Sequence, residues 1–155
     1  GSRRNGGQKM NQEFIKKAEL IIAERTGKNF TPDKDPYCVL ALLDHEGNPT
    51  GSTLTAADAK GIKELYFSTG LNSRKVERIH QSNRACVCFS GMDYNITLVG
   101  TIEICIGAQL KKEMWYDPLA RHFSGPEDPE YCVLKFTTER YSFLIDWQEV
   151  QGMIE

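Results

Sequence analysis

The chain has 155 residues, a length typical of a single domain that buries its own hydrophobic core without disulfides or metals. Its composition, 40% hydrophobic and 26% charged with a net charge of −2, is that of a globular protein and gives no electrostatic reason to expect nucleic acid or an anionic membrane as a partner. Five cysteines without framework spacing argue against a disulfide-stapled secreted domain and favour small buried residues in a reducing compartment, so we expect a cytoplasmic protein.

The N-terminal part of the sequence divides into a polar segment and a helix. Residues 1–9 are rich in Gly, Arg, Asn and Gln, so we interpret them as a cloning remnant or disordered segment and residues 10–155 as one domain. Residues 11–26 predict an amphipathic helix with one apolar face, formed by Phe14, Ala18, Ile21 and Ile22. No apolar run reaches membrane-spanning length, so we expect no membrane segment.

Seven segments further along the chain have the composition and length of β-strands. The first is almost continuously apolar, which predicts a strand buried on both faces. The fifth alternates most clearly, and Gly100 is the point where so long a strand could bend. In chain order the segments are Tyr37–Asp44, Thr50–Ala56, Glu64–Thr69, Arg84–Ser90, Asn95–Ile106, Tyr131–Thr137 and Arg140–Trp147.

Short helices are predicted between some of these strands, at Asn72–Ser82, Gln109–Tyr116 and Pro118–Phe123. Because most strands are joined by short turns, antiparallel pairing is favoured over a parallel sheet. The sequence therefore predicts a mainly β (α+β) fold, an antiparallel split β-barrel with a leading helix and short inserted helices.

The segment from Ser68 to Lys75 has the features of an anion site. A strand ends in two hydroxyl residues, a turn containing Gly70 follows, and a helix then opens with Ser73, Arg74 and Lys75. Cations in the first turn of a helix oppose its dipole, whereas a bound phosphate would use them together with the free N–H groups. An ordinary solvated basic turn is the alternative, and the residues alone leave both interpretations open.

Three stretches together resemble a known family: Phe67–Lys75, Arg84–Phe89 and Thr97–Glu103. They are similar to the pyridoxamine 5'-phosphate oxidase-like superfamily of FMN-binding split barrels, in its general-stress-protein branch. The resemblance extends from about Tyr37 to Trp147. It implies FMN as cofactor and a homodimer that holds the flavin between its subunits.

The resemblance also implies roles for individual residues. Arg74 and Lys75, at the helix that Ser73 opens, would grip the FMN phosphate. Ser68 and Thr69 would touch flavin and phosphate, and Asn95 falls where relatives carry a glutamine that reaches the flavin. The isoalloxazine edge would lie along the backbone of one strand, formed here by Ser52, Thr53, Leu54 and Thr55.

Two departures from the family pattern bear on the reaction. Relatives that oxidise pyridoxamine phosphate carry an arginine and a lysine at the positions of Ser52 and Ala57. They also carry a C-terminal Trp and an Arg-x-His motif, which does not follow Asp146-Trp147 here. We therefore expect no pyridoxamine phosphate oxidase activity and a weaker grip on the FMN phosphate.

Three functions stay open at this stage. The first is an FMN-dependent oxidoreductase acting on a small substrate, with NADH or NADPH as a possible partner. The second is a flavin-binding protein without turnover, such as a sensor, store or stress protein, and the third is a binder of the related deazaflavin cofactor. No catalytic residue is assigned, and the three histidines lack metal-ligand spacing.

Overall fold

The computed structural model describes the backbone of residues 2–155 and the side chains of residues 11–155. Two 3₁₀ turns, Gly27–Asn29 and Asp117–Arg121, accompany the regular elements. These are α1 (Ser2–Glu24), β1 (Tyr37–Leu43), β2 (Pro49–Lys60), β3 (Glu64–Gly70), α2 (Arg74–Gln81), β4 (Arg84–Ser90), β5 (Tyr94–Cys105), α3 (Ala108–Glu113), β6 (Tyr131–Ile145) and β7 (Gln148–Met153).

All strand pairings are antiparallel, in the order β3-β2-β1-β4-β5-β6-β7. An additional pairing between β3 and β6 closes the first six strands into a barrel. The last strand, β7, pairs with the C-terminal part of β6. The predicted antiparallel split barrel is confirmed.

The helix α1 packs on β2, β6 and β7. Its buried side chains, Phe14, Ala18 and Ile22, join the barrel core, so the predicted apolar face is confirmed. The helix begins ahead of the predicted start at residue 11 and also includes residues 2–9. Gly1 and the side chains of residues 2–10 lie outside the described residues, and our interpretation of residues 1–9 stays a prediction.

The long strand β5 shows the predicted alternation. Ile96, Leu98 and Ile102 are buried in the barrel, with Gly100 in the same row. The pairing of β5 with β6 shifts register between Val99 and Gly100, and a Cβ at Gly100 would overlap the carbonyl oxygen of Thr137. Gly100 therefore allows the two backbones to approach at the bend.

The turn of the predicted final hairpin is at the wrong position. The strand β6 continues through residues 138–140, because Thr138 is buried and donates its N–H to the Lys63 carbonyl at 2.9 Å. The chain instead turns at Asp146 and Trp147, whose φ angles are 53° and 64°. The seventh strand is thus β7, and its polar sequence with one buried residue, Val150, explains why its pattern was missed.

Other boundaries differ by a few residues. The strand β2 continues past Ala56 to Lys60, with a bulge between Ala56 and Asp58. The helix α2 occupies the centre of the predicted Asn72–Ser82 helix, and Ser73 is its N-cap. Among the described residues, no helix is both long and apolar enough to cross a bilayer.

Candidate functional site

The barrel wall splits where β2 changes its partner strand. From Pro49 to Thr55 this strand pairs with β1, and from Ala56 onward it pairs with β3. Past Phe67 the end of β3 pairs with β6 alone, through Ser68, Thr69 and Gly70. The segments 52–55 and 68–70 therefore each have one edge without a strand partner in the described chain, and these edges face each other across the split.

The predicted residues on β2 divide between the two faces of the sheet. Ser52 and Leu54 oppose Leu40 and Cys38, which are buried inside the barrel, so they face inward. The other two predicted residues, Thr53 and Thr55, are on the outer face. A flavin edge along this strand would therefore contact backbone together with the side chains of these two threonines.

The helix α2 begins shortly after β3 ends at this split. The hydroxyl of its N-cap, Ser73, accepts a hydrogen bond from the N–H of Val76 at 3.3 Å. Arg74 is exposed and Lys75 is half-buried, and within the described chain neither has a carboxylate within 4 Å. Two cations without a counter-ion at the positive end of a helix form an arrangement suited to a phosphate.

The hydroxyl of Ser68 is buried without a hydrogen-bond partner among the described residues. Burial raises the pKa of Tyr131 and the neighbouring Ser68 hydroxyl lowers it, so the two hydroxyls lie close together, and that of Ser68 is enclosed by protein. Side chains alternate along a strand, so Ser68 is on the face of Tyr66 and Thr69 on the face of Phe67. Ser68 and Thr69 cannot both direct side chains to one ligand face, and one of them contributes backbone only.

Asn95 lies in a different part of the barrel wall from segment 52–55. It lies on β5, which is three strands from β2 in either direction around the closed barrel. Its amide donates to the Thr97 hydroxyl at 3.2 Å, and its carbonyl oxygen accepts from the Cys88 thiol at 3.4 Å. The predicted flavin contact of Asn95 would therefore need a flavin reaching that part of the sheet.

A segment that sequence reasoning did not assign to the site lies against it. This segment, residues 106–130, is called the excursion, and it contains α3 and the second 3₁₀ turn. Aromatic rings hold it to the start of β6, with Trp115 and Phe123 at 5.5 and 5.3 Å from the ring of Tyr131. The carbonyl of Glu130 accepts from the N–H of Leu71 at 2.8 Å, directly ahead of α2.

The cysteines are free, and Cys38 and Cys132 are buried, as expected from their apolar surroundings. Burial raises the pKa of the Cys38 thiol to about 12 and that of Cys132 to about 11. Both are neutral thiols at physiological pH and poor nucleophiles. In the part of the chain with described side chains, no cluster of His, Cys, Asp or Glu is suited to a metal ion.

Comparison with known proteins agrees with this fold. A family model described as pyridoxamine 5'-phosphate oxidase matches residues 28–145, most of the chain and all of the strands up to β6. The chain belongs to this family. The predicted resemblance is thereby confirmed, while no curated protein matches the chain.

Solved structures similar to this chain share its fold. One, from Clostridium acetobutylicum, is related to general stress protein 26 of B. subtilis; it is 23% identical with a TM-score of 0.76, covering 92% of this chain and 95% of its own. General stress protein 26 from Bacillus anthracis is 22% identical with a TM-score of 0.65, covering 75% and 88%. A pyridoxamine 5'-phosphate oxidase-related, FMN-binding protein from Nostoc punctiforme is 15% identical with a TM-score of 0.62, covering 94% and 95%. At these identities the matches show the fold.

Proposed function

We propose that this protein is a cytoplasmic FMN-binding flavoprotein and an oxidoreductase acting on a small substrate, with NADH or NADPH as electron donor. The observation that carries the proposal is the start of α2, beside the split between β2 and β3, where Arg74 and Lys75 have no carboxylate partner among residues 11–155. A family relative with the same fold is an FMN-binding protein, which supports the same ligand.

The residues present fit the phosphate end of FMN. The guanidinium of Arg74 offers a bidentate fork, and the ammonium of Lys75 adds a point charge. Free N–H groups at the helix start would supply further hydrogen bonds. Bound FMN would supply a ring that accepts a hydride or electrons, while the protein binds, orients and shields it.

Oxidation of pyridoxamine phosphate is not part of the proposal. Ala57 is buried against Tyr66 and Tyr131, so no cation stands where such relatives carry a lysine. Ser52 faces the barrel interior and carries no charge. The two cations that such relatives carry are thus missing here, and we propose a different small substrate.

A homodimer is part of the proposal, because the barrel interior is filled with side chains and the flavin ring must lie outside. The strand β1 is apolar on both faces, yet the outer one carries Tyr37, 55% exposed, and Val39, 40% exposed. This outer face is uncharged and borders segment 52–55. A central strand with an uncovered apolar face needs a cover, and we propose that a second copy supplies it.

Placing a charge on that face tests the dimer. Val39→Lys should give a monomer in sedimentation analysis and weaken FMN binding, because a lysine at the centre of an apolar interface is left unpaired. Leu20→Lys is the matched control, since Leu20 is exposed on α1, which packs on β2, β6 and β7. A Val39→Lys variant that stays dimeric and binds FMN like the parent would exclude this face.

Anaerobic reduction tests the oxidoreductase. We expect purified protein to be yellow and to bleach when NADH or NADPH is added without oxygen. The flavin released on denaturation should have the mass of FMN, and a deazaflavin mass would overturn the cofactor assignment.

A non-catalytic flavin store or sensor is the second candidate, favoured by one observation. Segments 52–55 and 68–73 contain no acid or base side chain that could transfer a proton. Bound FMN that is not reduced by either nicotinamide would favour this candidate.

A further inference from the structure

The helix α3 carries a lysine whose charge is buried. Lys111 is only 8% exposed, whereas the adjacent Lys112 is exposed to solvent. The Lys111 ammonium donates to the carbonyl oxygen of Asp128 at 2.9 Å and lies 5.4 Å from the centre of the Tyr131 ring. The Tyr131 hydroxyl in turn donates to the Lys111 carbonyl at 2.9 Å. Burying an ammonium with so few acceptors is unfavourable, so its placement calls for a reason.

The residue that Lys111 contacts organises the end of the excursion. The Asp128 carboxylate accepts hydrogen bonds from the N–H groups of Ser124 and Glu130, both at 2.9 Å. These bonds hold the pKa of Asp128 below its ordinary value, so the carboxylate is charged at neutral pH. With Lys111 on its carbonyl and two N–H groups on its carboxylate, Asp128 is fixed at both its main chain and its side chain.

This fixed loop holds the turn that leads into α2. The Glu130 carbonyl accepts from the Leu71 N–H at 2.8 Å, and Tyr131 pairs with Gly70. The Phe123 ring packs beside Gly70, within 3.8 Å of where a Cβ would be. Contacts therefore run without a gap from the buried ammonium to the residues just ahead of Ser73.

We propose that Lys111 is a positioning residue for phosphate binding. It locks the end of the excursion, and the excursion in turn fixes the turn at residues 70–73, so that the N–H groups and cations of α2 are directed at the phosphate. A binding group held by a well-anchored outer layer loses less entropy when its ligand arrives. This inference rests on the proposed function, since it requires a ligand that carries a phosphate.

Comparing FMN with riboflavin separates positioning from general damage. Riboflavin lacks the phosphate, so loss of alignment at α2 should affect FMN alone. Lys111→Met keeps the length of the side chain and removes its charge. We expect FMN to bind about tenfold more weakly, the low end of what an outer-shell partner contributes to a site, with riboflavin unchanged. Lys112→Met, one residue along the same helix, should leave both affinities at the parent value.

The affinities are measured by titrating each flavin into apoprotein and following the quenching of flavin fluorescence. A Lys111→Met protein that binds FMN as the parent does, or that loses FMN and riboflavin equally, overturns the inference. In an Arg74→Ala background, Lys111→Met should have little further effect, because the two act on the same phosphate.

If Lys111→Met does not fold, a second variant tests the same inference. Asp128→Ala removes the hydrogen bonds to Ser124 and Glu130 while leaving the Lys111 contact to the main chain. It should also lower FMN affinity selectively, and an equal loss for both flavins again overturns the inference. If the parent binds FMN no better than riboflavin, the proposed phosphate site itself is wrong and this role for Lys111 is wrong with it.

Discussion

Replacing Arg74 and Lys75 together with alanine should abolish phosphate-dependent FMN binding and leave a folded, colourless protein. Each cation facing a partly exposed phosphate contributes about 1.5–3 kcal/mol, so losing both weakens FMN by at least about a hundredfold. Neither side chain forms an ion pair in the described chain, and the buried residues of the helix are Val76 and Ile79. The fold should therefore survive, which circular dichroism and a thermal melt would check.

The control for this variant removes the same charge elsewhere. Lys16→Ala with Lys63→Ala takes two exposed cations from other parts of the surface, and FMN should bind it as it binds the parent. Riboflavin should bind the Arg74/Lys75 variant and the parent about equally. Parent-like FMN affinity in the double variant would show that the phosphate lies elsewhere.

Substituting Gly100 should cause the largest loss of stability from a single methyl group. In Gly100→Ala the new Cβ meets backbone, the Thr137 carbonyl, which cannot move as a side-chain tip can. We expect the free energy of unfolding to fall by about 3–4 kcal/mol, at the upper end for overpacking combined with backbone displacement. Urea denaturation measures this, and Tm should fall by roughly 10 °C.

Gly107→Ala is the matched control for this substitution. Its backbone has φ of −63°, which any residue adopts, and a Cβ there would meet nothing within 4 Å. The change in the free energy of unfolding should stay within about 0.5 kcal/mol. Equal stabilities for Gly100→Ala and Gly107→Ala would mean that β5 and β6 can separate at the bend without penalty.

Sequence reasoning predicted an element correctly where a local residue pattern specifies it. The alternation of β5, the apolar character of β1 and the capped start of α2 are local signals, and each predicted its element. Sequence reasoning failed at residues 138–140, because the polar residues of this bulge have the same composition as a turn. The difference lies in the bonds of Thr138 to Ile62 and Lys63, more than 70 residues away.

The cations of the proposed site could be predicted from the sequence, whereas the residues around them could not. Ser73, Arg74 and Lys75 are adjacent in sequence, so their juxtaposition needs no tertiary information. Lys111 and Arg25 are basic residues that composition assigns to the surface. Both are buried because distant carbonyls accept their hydrogen bonds, as when Arg25 donates to Asp35 and Ser90 at 2.7 and 2.9 Å.

The pairing of β3 with β6 has a consequence for synthesis on the ribosome. Glu64 pairs with Thr137, so the barrel stays open until β6 has been made. Until then β1, which is apolar on both faces, has no closed barrel interior to pack into and can form non-native strand pairings. Contacts this distant in sequence slow folding and lengthen the time at risk of aggregation. Slow, chaperone-sensitive maturation should follow from the closure of the barrel by its sixth strand.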